Sequence, residues 1–266
     1  MEKFFATQLD YIFFVYGLAF VIMSMIVFYA HRQTKLNLPL KWLAIFALCH
    51  GLGQWLNLAV ILFNHETIFT HVREIVIACS VGLLCETGRY GLSQLKIKVP
   101  GRHIYLIFAV IIALGTFTSG LKGMQVTANY TLGIAGAAMT AAVFAISYRR
   151  DKTKNKYYLA FSGILIGCGI IIIVGVPKTT IFPATIINYE SFFEYFHVPV
   201  PFVCAIMGTI FTILLTSFVY DILDYNKNFS LKMKYVILYL PVCTLIAITG
   251  AGWIIMNYTS ENIDSS

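Results

Sequence analysis

Apolar residues along this chain gather into eight runs, each close to the ~20 residues that cross the hydrocarbon of a bilayer as a helix. The runs are Tyr11 to Ala30, Trp42 to Phe63, Ile75 to Leu95, Tyr105 to Gly120, Thr131 to Tyr148, Tyr158 to Val176, Pro201 to Tyr220 and Tyr235 to Met256. Most connections between them are short, so neighbouring helices should pack antiparallel. The pattern predicts an all-α integral membrane bundle of eight transmembrane helices. One connection differs. GVPKTTIFPATIINYESFFEYFHVPV, between the sixth and seventh spans, carries three prolines, several aromatics and two glutamates. It is expected to lie on the membrane face or fold over the bundle, and long connections of this kind are disproportionately functional. Small residues in GIAGAAMTAA (133–142) predict close packing of the fifth helix on a neighbour.

Composition agrees: 59% of the 266 residues are hydrophobic and 12% are charged, where a soluble domain carries about a quarter. The net charge of +7 changes the picture through its placement. Alternate connections hold Arg32, Lys35, Lys41, then Lys96, Lys98, Arg102, then Arg149, Arg150, Lys152, Lys154, Lys156, and last Lys227, Lys232, Lys234. The opposite side holds Lys3, Lys122 and Lys178, a split of 14 against 3. By the positive-inside rule both termini are expected outside, in the cytoplasmic (inner) membrane of a cell. The basic surface thus orients the chain and faces anionic lipid headgroups, not nucleic acid. The six cysteines all fall in apolar runs without CxxC spacing, which reads as packing. No nucleophile–base set and no phosphate loop is present, so the sequence makes no case for an enzyme.

Candidate chemistry begins in the second span, at HGLGQWLN (50–57). His50, Gln54 and Asn57 are spaced i, i+4, i+7 and share one helix face, with Trp55 roughly a quarter-turn away. In hydrocarbon such a face should turn inward, because an unsatisfied polar group costs several kcal/mol. The third span offers Glu86 and Arg89 at i, i+3 in CETGRYG. Glu86 is expected near the depth of His50, and Arg89 either pairs with Glu86 or snorkels to headgroups. Two readings stand: interhelical hydrogen-bonding glue, or a ligand, proton or cofactor site.

A second cluster is expected at the outer face, where His65 and His71 of NHETIFTHVRE meet Glu194 and His197 of the long connection. These four form a candidate transition-metal site. Haem b needs facing axial ligands at one depth, and His50 is the one histidine deep inside a predicted span. The seventh span has no lysine for a retinal Schiff base. The sequence names no cofactor.

FFVYGLAF (13–20), HGLGQWLN, CETGRYG and FPATIINYESFFEYFHVPVP (182–201) together resemble the N-terminal multi-helix membrane sensor region of bacterial signalling proteins, which precedes histidine kinase or diguanylate cyclase domains. The resemblance covers about the first 220 residues. It implies a seven-helix sensor-like region over 1–220, then a cytoplasmic link, an eighth helix and an outer tail over 221–266. It also implies that His50, Trp55, Glu86, Arg89, Pro183, Asn188, Pro199 and Val200 belong to a shared core or ligand-facing surface. Gln54 stands where that family commonly has an acidic residue, and Cys204 where it has an arginine. The expected function is a signal-input module of a two-component type of system, binding a small or membrane-soluble ligand through His50, Gln54, Trp55, Asn57, Glu86, Arg89 and Asn188. Its output domain or signalling partner would lie outside these 266 residues. A second copy of the chain is a candidate partner. The alternative is a structural or electron-transfer subunit of a membrane complex holding a quinone or haem.

Overall fold

The structure, a computed structural model, describes residues 5, 8–34, 38–63, 67–150 and 155–225, together with 243, 244, 246, 247 and 250. Most of the expected eighth span, the outer tail and His65 lie outside the described residues. Those described are helical throughout their regular structure: α1 (Leu9–Gln33), α2 (Leu40–Leu62), α3 (Thr67–Gln94), α4 (Ile104–Ala128), α5 (Ile134–Arg150), α6 (Asn155–Val174), α7 (Tyr189–Phe196) and α8 (Val200–Tyr225). A five-residue π turn, Asn129–Gly133, joins α4 to α5. Among the described residues six helical stretches are long and apolar enough to cross a membrane, and the fourth of these runs from Ile104 to Arg150. The chain is a multi-pass helical membrane protein.

That fourth stretch is not one rod. Ser119 and Gly120 leave helical geometry, and Gly120 takes φ +60, the left-handed region that glycine enters without a Cβ clash. Beyond the break, Gly123 and Thr127 lie directly against Gly115. A straight helix would hold Gly115 and Gly123 about 12 Å apart, so the chain doubles back. Arm 104–118 reaches about 22 Å and arm 121–150 about 45 Å. Ser119 Oγ meets Thr180 Oγ1 of the long connection at 3.0 Å, fixing the reversal to the same end of the bundle as residues 175–199. Six of the crossings close a ring in the order α1, α2, α3, α5, α6, α8, with α8 returning to α1. Its interior is filled by Met23, Val27, Leu43, Phe144, Phe161 and Phe218, all essentially inaccessible. The 104–118 arm stays peripheral, with Leu106, Val110, Leu114 and Phe117 exposed as a lipid-facing surface would be.

Two ends follow from the topology. One, the basic end, carries the connections 34–39 and 95–103; the other, the loop end, carries 175–199. Glycines set the closest approaches. Gly51 of α2 lies against the Gly17 carbonyl of α1, where a Cβ would sit 2.8 Å from that oxygen. Gly136 of α5 meets the Cys85 backbone, and a Cβ on Gly88 of α3 would lie 2.7 Å from Thr140 N. The close packing expected of 133–142 is therefore real, with α3 as its partner.

Several boundaries differ from the pattern, among them the arm of the fifth span, which begins at 121, ten residues before the apolar run at Thr131. α3 starts at Thr67, eight residues before the apolar run begins at Ile75, so Arg73 and Glu74 lie inside the helix and pair with each other. The long connection holds its own short helix, α7, started by an Asn188 capping box. Gly88→Leu should destabilise the bundle by about 1–3 kcal/mol, since backbone rather than a flexible side chain stands in the way. Gly163→Ala, with nothing within 4 Å, should be neutral. Thermal unfolding of the detergent-solubilised protein compares the two, and equal midpoints would remove the α3–α5 contact from the account.

Candidate functional site

HGLGQWLN folds as the middle of α2, and its polar face does turn inward. His50 is wedged among the rings of Tyr16, Phe20 and Phe46, with centroids at 5.6, 4.8 and 5.5 Å. Both its ring nitrogens are engaged. Nδ1 lies 3.0 Å from Ser80 Oγ, and Nε2 lies 2.9 Å from Tyr16 Oη and 3.2 Å from Gln54 Nε2. Ser80 donates its own proton to the Ile77 carbonyl at 2.7 Å. The serine oxygen must therefore accept, which puts the imidazole proton on Nδ1 and leaves Nε2 as the acceptor for Tyr16 and Gln54. Asn57 Nδ2 donates to Gln54 Oε1 at 3.0 Å, which orients the glutamine amide so that its nitrogen faces the histidine. The result is a neutral, saturated network that ties α1, α2 and α3 together.

Trp55 serves the same helix pair from another side. Its indole N–H donates to the Phe14 carbonyl of α1 at 3.2 Å, and its ring stacks on Phe14. Gly17 leaves the notch that holds the indole. Trp55 also lines a shallow apolar groove of about 540 Å³ with Leu48, Cys49, Leu52 and Val76.

Glu86 and His50 do not meet. Ser80, the α3 residue at His50, precedes Glu86 by six positions, which is about 9 Å along the axis and a third of a turn around it. Glu86 instead builds a cluster toward the basic end. Arg89 binds it in a two-pronged grip, Nε to Oε2 at 2.6 Å and Nη2 to Oε1 at 2.7 Å. Tyr105 Oη adds 2.7 Å to Oε2 and Arg102 Nη2 adds 3.3 Å to Oε1. Glu86 is 7% exposed and the lone pairs of its carboxylate are spent on four donors. Arg150 then clamps the adjoining turn through the Leu95 carbonyl at 3.0 Å.

Asn188 is equally committed. Its Oδ1 accepts from the Glu190 and Ser191 amides and its Nδ2 donates to the Ala184 carbonyl, so it caps α7 and pins the loop. Of the metal candidates, His65 lies outside the described residues, and among the described residues no three of His, Cys, Asp and Glu come together. His71 spends Nδ1 on the Thr67 carbonyl of its own helix, and His197 is the left-handed C-cap of α7. Tyr16, Ser80, Arg102 and Tyr105 are the participants the sequence reading missed. A single tyrosine or serine in an apolar run carries no periodic signal. Compared with protein-family models, with curated proteins and with solved structures, the chain matches none.

Two sets of variants test these networks by thermal unfolding. Ser80→Ala strands the His50 Nδ1–H and should cost about 1–2 kcal/mol, whereas Tyr16→Phe leaves Nε2 its glutamine donor and should cost about half that. The reverse order would contradict the tautomer. Arg89→Ala leaves Glu86 without its main partner and should cost about 3 kcal/mol; Arg102→Ala, whose side chain is 72% exposed, should cost under about 1 kcal/mol. Equal losses for the two arginines would remove Arg89 as the organising partner.

Proposed function

We propose that the chain is a membrane signal-input module, lying in the cytoplasmic membrane with its basic end inside, whose stimulus repositions α1, α2 and α3 relative to one another. The observation that carries this reading is the His50 network. Three helices are joined by side-chain hydrogen bonds that meet on one imidazole, among the rings of Tyr16, Phe20 and Phe46. The node is satisfied with Nε2 accepting, and a ligand or proton that places a hydrogen on Nε2 displaces Tyr16 and Gln54 and shifts the population toward a second arrangement. Residues Gln54, Trp55 and Asn57 tune the node, and the Glu86 cluster connects α3 to the basic end where an output partner would dock. The eight-helix count with both termini outside, and the resemblance to sensor regions of bacterial kinases and cyclases, belong to this same proposal.

The electron-transfer alternative fares less well at this residue. An axial haem ligand needs a free imidazole nitrogen, and both of those on His50 are already bonded.

The test is genetic. Deleting the chain, or replacing His50 by Ala in it, should produce the same altered transcript and phosphoprotein profile in the native cell. The His50→Ala protein should still reach the membrane in normal amount. A deletion strain with an unchanged profile sinks the sensor reading. A Soret band or stoichiometric quinone in the purified protein would support the electron-transfer subunit in its place.

A further inference from the structure

At the loop end a second set of buried polar side chains has hydrogen-bonding capacity left over. Glu74 lies on the stripe of α3 that continues through Val81, Cys85 and Gly88 and faces the 121–150 arm. Gly133 packs on Val81, Gly136 on Cys85 and Thr140 on Gly88. Extending that register places Glu74 opposite 125–126, about one helical turn from Asn129. Glu74 is 3% exposed, and its Oε1 accepts from Arg73. Its Oε2 and the Arg73 Nε are both buried with no partner. Asn129 is 8% exposed, opens the π turn, and its carboxamide makes no hydrogen bond to another described residue. π turns inside α-helices recur at functional sites. The roof is the long connection, where Val176 and Ala184 pack on Val126. Tyr189, at the start of α7, is fixed to this roof by its backbone N–H, which donates to the Val176 carbonyl at 3.0 Å. Burial first, and then the Glu190 and Glu74 carboxylates, push its phenol above the usual tyrosine range, while the Arg73 guanidinium opposes them.

A bare carboxylate oxygen and a bare guanidinium N–H are costly to bury, so their natural occupant supplies one donor and one acceptor. Arg73 and Glu74 are neutral as a pair. A simple cation or anion would bring an uncompensated charge into a medium of low dielectric, whereas a ligand carrying both signs keeps the site neutral. We propose that Arg73, Glu74 and Asn129 form a binding site, roofed by Tyr189 and the long connection, for a primary ammonium next to an oxyanion. The ammonium donates to Glu74 Oε2, and the oxyanion accepts from Arg73 Nε and the Asn129 amide. Bonds between charged partners are the strong ones. This chemistry is found in free amino acids and in the phosphatidylethanolamine headgroup. As the stimulus of the module proposed above, such a ligand rests on that reading; as a binding site it does not, and its test reads binding alone.

The full chain is placed in phosphatidylglycerol nanodiscs and its thermal unfolding is followed with glycine, with O-phosphoethanolamine, and in discs doped with phosphatidylethanolamine. At roughly ten times Kd, at least one of the three should raise the midpoint by about 3 °C. Methylammonium and acetate, alone or together, should not. A shift from the soluble probes identifies a free solute as the source, and a shift confined to the doped discs identifies the headgroup. Glu74→Gln should abolish the shift while Lys178→Gln keeps it, and Asn129→Ala serves where Glu74→Gln does not fold. No shift from any probe, equal shifts from methylammonium or acetate, or a shift that survives in the variants would overturn the site and leave it to water.

Discussion

A polar group inside hydrocarbon has no water to fall back on, and the placement of nearly every hydrogen-bonding side chain in this bundle follows from that. His50 is the clearest case. Its two nitrogens could not face lipid, so α2 turns them inward, and tyrosine, glutamine and serine from its own and two neighbouring helices supply what water would have supplied. Glu86 solves the harder problem of a full negative charge by collecting two guanidinium groups and a phenol. Serine and threonine elsewhere take the simpler route of bonding backbone carbonyls, as Ser24 does to Ala44 and Thr212 to Ala19. These last bonds also stitch α1 to α2 and α8 to α1, so the solvation of individual groups and the cohesion of the ring are one set of contacts.

Apolar side chains cannot drive the helices together here, because lipid tails are as apolar as they are. Close approach has to come from shape. Gly17 and Gly51 bring α1 and α2 near enough for the Trp55 indole to reach the Phe14 carbonyl, and the same approach brings Tyr16 within bonding distance of His50. The two glycines of HGLGQWLN therefore matter as much as its polar residues. Gly51 admits α1, and Gly53 admits Ile77 of α3.

Much of the fold could be read from the sequence because one property, uninterrupted apolar length, dominates it. The spans, their short connections and the small-residue contact of 133–142 are all consequences of that property. The reversal at Gly120 was legible as the end of a run, yet the π turn at Asn129–Gly133 was not, since it replaces no residue type with another. At the site, i, i+4, i+7 spacing was enough to show that His50, Gln54 and Asn57 share a face. The partners of that face come from other helices, and helix rotation decides which ones. Glu86 was expected at the depth of His50, but six residues of α3 separate it from Ser80, and a third of a turn points it at Tyr105 instead. Which residues of one helix share a face was readable from the sequence; depth and azimuth relative to a neighbouring helix were not.

The azimuths give α3 a distinctive position. Glu74, Ser80 and Glu86 follow one another at intervals of six, each about 9 Å further along the helix and rotated by a third of a turn. The first is aimed at the 121–150 arm, the second at His50 between α1 and α2, and the third at Arg102 and Tyr105. α3 is thereby tethered to its neighbours in two directions at two depths, by Ser80 and by Glu86. A rotation that released one tether would strain the other, because each bond tolerates only a few tenths of an ångström before it is lost. A displacement of α3 is therefore shared between the loop end and the basic end. Packed interfaces of this kind switch between discrete arrangements more readily than they deform continuously. A ligand at either end that favours one rotation of α3 would be felt at the other through this single helix, without a separate chain of contacts to carry it.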